Sequence, residues 1–266
     1  MDLYTPDPPG VASSGRRPLP PVLLLHGFRG YKDWGFLPFL ARKLAQEGFP
    51  AIAISASGSG VAGGDGSYSE PERFRRNTYG RELVDLGRVA DWAAQGAPRP
   101  RLGLVGHSRG GGIALLQAAR DHRVACVVTL AAMSRLGIWE ADRIARWERR
   151  EDAPIYDFRT RGSLAMSPDL WDDFRRNVAS YDLSRAIESL CSPLLVVHGD
   201  KDRVVPLEHA REIASHGSAT MTELLVVKGA GHTFQAGDTI RRVPPQLLNM
   251  AEATVAWMRR WLPWNG

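Results

Sequence analysis

Gly106-His107-Ser108-Arg109-Gly110 decides how the rest of the chain is read. The pentapeptide has the form G-x-S-x-G. Before it runs Leu102-Gly103-Leu104-Val105, short, apolar and partly branched. After it, Gly111 to Arg120 becomes helix-forming once past its glycines. Between a strand and a helix, such a sequence makes a sharp turn that lifts the serine oxygen above the sheet. Glycines flank the turn because backbone and helix approach too closely there for side chains. The string alone is a weak signal, since small-residue loops produce it by chance. Its place between strand and helix makes it specific.

The flanking sequence alternates in the same way. Pro21–Leu25 and Ala51–Ile54 are apolar throughout, as suits strands buried on both faces of a parallel sheet. Val124–Leu130, Pro193–Val197 and Thr222–Val227 extend the series. A helix is expected near Phe36–Gln46, with Leu37, Leu40, Ala41 and Leu44 on one face and Gly48 as its stop. Ser69 and Glu72, with Pro71 between them, read as a capping box for one helix reaching about Ala94. Tyr79, Leu83, Leu86 and Ala90 form its buried face. Further helices are expected near Leu207–Ser215 and after Pro244-Pro245, the last with Leu248, Ala251, Val255 and Met258 inward. Alternating strands and helices imply an α/β fold with a mostly parallel, doubly wound sheet.

Residues 134–190 break the rhythm. They hold Trp139, Trp147, Tyr156, Phe158, Trp171 and Phe174 among many charges, and no buried strand is visible. The expectation is a helical lid inserted into a single domain spanning 1–266, since inserted loops at such positions often line active sites. Residues 1–20 are rich in Pro, Gly and Ser and promise little regular structure.

Composition narrows the function. At 266 residues, 44% hydrophobic and 24% charged, the chain is ordinary for a globular protein with a substantial core. The net charge is +5, yet only four of the 34 basic residues are lysines, and acids interleave with the arginines. Nucleic-acid binding needs a clustered basic stripe, which is missing. Cys126 and Cys191 have neither zinc-site nor disulfide-framework spacing, so two buried thiols in a reducing compartment are expected. The start, Met1 to Pro6, lacks the basic and apolar regions of a signal peptide, and the run Val124–Met133 is too short to span a bilayer. A cytoplasmic protein with no membrane partner is expected, as monomer or homodimer.

Three expected strand ends carry polar residues, and chemistry in open α/β sheets sits beyond the carboxyl ends of strands. They are Ser108, then His198-Gly199-Asp200-Lys201-Asp202, then Gly231-His232. Serine is a poor nucleophile and needs an adjacent base, a role for His232. A carboxylate must hold that imidazole in the correct tautomer, and Asp200 and Asp202 both compete for the position. His26, His107 and His198 read as packed or backbone-bonding, and His122, His209 and His216 as solvated at helix ends. None has metal-ligand spacing, so no metal is expected. Gly58-Ser59-Gly60-Val61-Ala62-Gly63 matches G-x-G-x-x-G after a strand. A dinucleotide site requires a helix to begin inside that motif, whereas Gly64 to Ser67 extend the loop and no acid-ending strand follows, so no cofactor is expected.

Four motifs in order, His26-Gly27-Phe28, Gly106 to Gly110, Gly199-Asp200-Lys201-Asp202 with Val205-Pro206, and Gly231-His232, together resemble the α/β-hydrolase-fold serine hydrolases. The resemblance covers about Pro21 to Leu262. Within that fold the chain is most similar to dienelactone-hydrolase-like, cinnamoyl-esterase-like and serine-aminopeptidase-like members. True dienelactone hydrolases carry a cysteine nucleophile where this chain has Ser108. The resemblance implies Asp202 as the acid, three residues after Gly199, and leaves Asp200 to bond the turn backbone. It implies an oxyanion hole made by the backbone N–H groups of Phe28 and Arg109. Arg109 departs from the smaller or neutral residues frequent after the nucleophile, and its side chain is expected to clamp against an acid. Too few residues precede Pro21 for the usual N-terminal hairpin, so a trimmed sheet edge is expected, with Asp2–Thr5 at most one short strand.

The reading is therefore a carboxylic-ester hydrolase acting on a small-molecule ester through an acyl-enzyme, with Ser108, Asp202 and His232 as catalytic residues. One alternative is a peptidase or amidase of the serine-aminopeptidase type, with an acid such as Glu140, Asp142 or Asp152 holding a substrate ammonium. Another is a non-catalytic ligand-binding homologue.

Overall fold

Every apolar run named above becomes a strand of one sheet. The computed structural model describes residues 1–6, 19–63, 65–95, 97, 99–157, 160–237 and 240–263. Phe158, Gly64 and most of the Pro/Gly/Ser-rich start lie outside these. The strands are β1 (Asp2–Tyr4), β2 (Val22–Leu25), β3 (Ala51–Ile54), β4 (Leu102–His107) and β5 (Val124–Leu130), then β8 (Leu194–Gly199) and β9 (Thr222–Val227). They pair in the order β1-β3-β2-β4-β5-β8-β9. All neighbours are parallel except β1, which runs antiparallel to β3 as the single short strand of a trimmed edge.

The inner strands β2, β3, β4, β5 and β8 are apolar at successive positions because both their faces are covered. Leu23, Leu25, Ile52, Ile54 and Leu104 face one core cluster, and Val22, Leu24, Val105 and Val128 the other. The first cluster lies under α3 (Tyr79–Ala93), α4 (Arg109–Ala118) and α8 (Leu207–His216); the second lies under α1 (Leu37–Gln46) and α9 (Pro245–Trp261). Each fully buried leucine or valine contributes about 1.5–3 kcal/mol, so these layers make the sheet a rigid platform.

The structure departs from the sequence reading at several places. The helix expected from Ser69 to Ala94 is two helices, α2 (Pro71–Arg75) and α3. Thr78 adopts an extended conformation and its hydroxyl accepts from Arg81 N at 3.2 Å, capping α3 anew. Ser69 Oγ instead accepts from Ala62 N at 3.2 Å. Residues 134–190 hold helices α5 (Ala141–Glu148), α6 (Asp169–Arg176) and α7 (Leu183–Glu188), but also an antiparallel hairpin of β6 (Ala153–Asp157) and β7 (Gly162–Met166). In β6 the burial alternates, with Ala153, Ile155 and Asp157 inward. Cys191 is exposed rather than buried, because it lies in the turn before β8; Cys126, inside β5, is buried and its thiol is pushed up to about 12 by desolvation. Leu248 is 38% exposed, and Leu247 takes the inward place on α9. His209 is half-buried rather than solvated. Its Nδ1 accepts from Ser134 N at 3.2 Å, the Ser134 hydroxyl donates to Glu212 at 2.7 Å, and burial lowers the His209 pKa. No described helix is long and apolar enough to cross a membrane.

Candidate active site

The G-x-S-x-G turn is strained as its sequence requires. Ser108 has φ 53° and ψ −121°, outside the regions a non-glycine residue favours. A Cβ at Gly106 would stand 2.3 Å from Gly110 O, and one at Gly110 would stand 2.3 Å from His26 O. The turn is tied to the neighbouring strand end by Ser108 N donating to Leu130 O at 2.9 Å. Arg109 begins α4, so its N–H is one of the first-turn amides that no intrahelical carbonyl can satisfy.

The loop after β2 lies against this serine. A Cβ at Gly27 would come within 2.9 Å of Ser108 Cβ, so the Gly27-Phe28 backbone passes directly beside the side chain. His26 braces that loop. Its Nε2 accepts from Ala56 N at 3.0 Å, which leaves Nδ1 to donate to Gly27 O at 2.8 Å.

The two loops after β8 and β9 are stitched together. Lys201 N donates to Ala230 O at 2.9 Å, and Gly229 N donates to Asp200 Oδ1 at 2.6 Å. Asp200 thus bonds turn backbone. Asp202 points the other way and is fully engaged. Its Oδ1 accepts from Val204 N and Val205 N, both at 2.9 Å, and its Oδ2 lies 2.8 Å from His232 Nδ1. His198 donates from Nε2 to Val205 O at 2.8 Å and stands 3.4 Å from the same Oδ2. Burial opposes ionisation of Asp202, yet the hydrogen bonds from His198, His232 and Val205 outweigh it and hold the carboxyl well below the usual range. The bond to Asp202 makes His232 Nδ1 a donor, so in the neutral ring Nε2 is the basic nitrogen.

His107 supports the histidine loop from below. Its Nε2 donates to His232 O at 3.0 Å, and the two rings lie 4.7 Å apart. Burial, then the neighbouring His232 charge, pushes its pKa down to about 3, so the ring stays neutral.

Ser108, Arg109, Phe28 and His232 all line one cavity of about 530 Å³. Its walls are largely aromatic and apolar, from Trp34, Tyr79, Met133 and Val204 of the body and Ile138 and Trp139 of the 134–190 insert. Asp157, from β6, also lines it. The structure therefore brings Asp202 to His232 and places Ser108, His232, Phe28 and Arg109 around one cavity, while Asp200 bonds turn backbone instead. Glu140 and Asp152 are paired with Arg143 and Arg75. The wall residues Trp34, Met133, Ile138 and Val204 lie in loops with no periodicity, so no sequence signal marks them. Tyr79 reads from its spacing as core, and it does both jobs. Among the described residues no group of three or more His, Cys, Asp or Glu gathers as a metal site.

Residues 22–243 match the model of the alpha/beta hydrolase family. The chain belongs to this family. An uncharacterised 31.7 kDa protein of Escherichia coli is 31% identical over 117 residues, 43% of this chain and 38% of that protein, so the matched stretch spans well under half its length. The monoacylglycerol lipase of Mycolicibacterium smegmatis is 25% identical over 87% of this chain and 84% of its own. Among solved structures, Est1E of Butyrivibrio proteoclasticus with ferulic acid bound superposes on this α/β hydrolase with a TM-score of 0.72. It shares 18% identity and covers 98% of this chain and 94% of its own. That likeness is one of fold.

Proposed function

We propose that this α/β hydrolase is a serine esterase that cleaves small carboxylic esters through an acyl-enzyme. The observation that carries the reading is the Asp202–His232 bond at 2.8 Å beside a cavity that the strained Ser108 also lines. Ser108 Oγ attacks the ester carbonyl carbon as His232 Nε2 takes its proton. The carbonyl oxygen becomes an oxyanion, which accepts hydrogen bonds from the Phe28 and Arg109 amides. The C–O bond to the alcohol breaks, the alkoxide takes the proton from His232, and the acyl group stays on Ser108. Water repeats the sequence with His232 as base and releases the acid. Asp202, held ionised by its four contacts, stabilises the imidazolium in both halves.

The aromatic walls suit an apolar or aryl group on the ester. The insert is proposed as a lid because Ile138 and Trp139 close one side of the cavity. A cytoplasmic location, as monomer or homodimer, is part of this proposal.

Asp157 is the observation that favours the peptidase alternative, as a buried acid on the wall that would receive a substrate ammonium. A panel of p-nitrophenyl esters and amino-acid p-nitroanilides separates the two. The esterase reading expects ester turnover to exceed anilide turnover, and Ser108→Ala to lower kcat by about 10⁶-fold. Binding of esters without any turnover points to the ligand-binding alternative, and full activity in Ser108→Ala removes the mechanism.

A further inference from the structure

Arg109 carries a side chain that a backbone oxyanion donor does not need, and nearly all of it is buried. Its guanidinium donates from Nη2 to Glu82 Oε1 at 2.5 Å, with the two side chains 6% and 8% exposed. Glu82 lies in the first turn of α3, and Asn77 Nδ2 donates to the same oxygen at 2.7 Å. Asn77 is admitted by Gly58, where a Cβ would stand 2.1 Å from Asn77 Oδ1. This is the first glycine of the G-x-G-x-x-G string, which begins no helix and serves this packing instead. Arg109 Nε is buried without a hydrogen-bond partner among the described residues, so other contacts must set the plane of the guanidinium.

Those contacts are rings. The Arg109 Cζ lies 4.5 Å from the centroid of Phe28 and 5.7 Å from that of Tyr79. Phe28 is held further by Phe74, stacked at 5.7 Å, and by Trp139 of the insert, edge-on at 5.5 Å. The guanidinium thus touches the side chain of the residue offered as the second oxyanion donor, while its own backbone is the first.

We propose that the Arg109 side chain, anchored on Glu82 and stacked on Phe28, is a positioning residue that holds the two oxyanion-hole amides in register. This inference rests on the esterase reading above. The N–H groups sit on different loops, after β2 and after β4, and no hydrogen bond to an absent oxyanion holds them in the resting enzyme. A rigid cation joins the loops through side chains. Electrostatic stabilisation of this kind depends on donors placed before charge develops, so loosening the clamp weakens the transition state more than the bound substrate. Lysine cannot replace arginine here, because an ammonium reaches Glu82 but offers no flat face to Phe28.

The test compares wild type with Arg109→Lys and with the charge-free pair Arg109→Met/Glu82→Met. Steady-state rates on a p-nitrophenyl ester are normalised to active sites titrated with a fluorophosphonate, so that unfolded protein is not counted. The expectation is a fall in kcat of about 10–100-fold in Arg109→Lys, with KM within about threefold. The inhibition constant of a trifluoromethyl ketone, which forms a tetrahedral adduct, rises in parallel. Affinity for the product acid stays unchanged. If Arg109→Lys keeps wild-type kcat and trifluoromethyl ketone affinity per titrated site, the clamp is wrong, whatever happens to its melting temperature. If the double variant folds and keeps wild-type kcat, the clamp is equally wrong; if it fails to fold, Arg109→Lys decides. A wild type that neither labels at Ser108 nor turns over an ester overturns the esterase reading itself, and is thereby distinguished from failure of the clamp alone.

Discussion

The sheet rim and the 134–190 insert border the same cavity but are held in place by different physics. At the rim, Asp202 and the Arg109–Glu82 pair are buried, every Asp202 oxygen is bonded, and glycines pack backbone on backbone. At the insert, ion pairs such as Arg75–Asp152, made to α2, and Arg150–Asp172 lie on a half-exposed surface, while Trp139, Trp147 and Trp171 pack together and Trp147 Nε1 donates to Met166 O of the hairpin at 2.9 Å. A buried, fully bonded group has one arrangement, and losing one partner strands the other. A screened surface pair has many arrangements of similar energy. Under the proposed function the chemistry would fall to the rim, and the insert would share with the body in setting substrate preference.

Substitutions at the two regions should differ by orders of magnitude. After loss of Ser108 itself, the largest effect is expected at the rim, where Asp202→Asn should lower kcat by about 10⁴-fold by presenting His232 in the wrong tautomer, measured on a p-nitrophenyl ester. A loss under tenfold would take Asp202 out of the mechanism. Next comes His107, neutral when folded, with a pKa pushed down to about 3 against about 6.5 when unfolded. Below about pH 6.5 the unfolded chain binds a proton that the folded chain refuses. The stability this histidine withholds is therefore absent above that pH and grows as pH falls toward about 3. It reaches roughly 3 kcal/mol by pH 4. His107→Gln should flatten that acid slope in urea titrations between pH 7 and 4; an unchanged slope would mean that His107 titrates normally.

In the insert the effects are smaller. Ile138, 53% exposed at the cavity mouth, should act through binding alone. Ile138→Ala is expected to raise KM for apolar esters about 3–10-fold with kcat nearly unchanged. A fall in kcat with constant KM would instead give the insert a share in the chemistry. Asp152→Asn, which breaks the pair with Arg75 between α2 and the insert, should move Tm by no more than about 3 °C.

The same contrast explains what could be read from the residues. Strands buried on both faces write unbroken apolar runs, so β2, β3, β5 and β8 are visible with their parallel direction, whereas their order in the sheet is not. Ser108 and His232 stand out in the sequence because each follows an expected strand and sits among small residues, whereas only the family resemblance prefers Asp202 to Asp200. The hairpin escapes because Ala153-Pro154-Ile155-Tyr156-Asp157 buries one face only, carries a proline at its second position and lies among charges. The break before α3 escaped because Ser69 and Thr78 are equally good caps by type, and only packing of Asn77 against Glu82 chooses Thr78. Cavity walls from loops leave no period at all. The Arg109 clamp is half legible: a buried cation needs an acid, but only the fold brings Glu82 to it.

Esterase chemistry at this site requires that His232 activate Ser108. Reaction with a fluorophosphonate, followed by peptide mass spectrometry, tests this directly. The expected result is one adduct per chain, on the peptide containing Ser108, forming at least about 10³-fold more slowly in His232→Gln. An adduct on another residue, or an unchanged rate in His232→Gln, contradicts it.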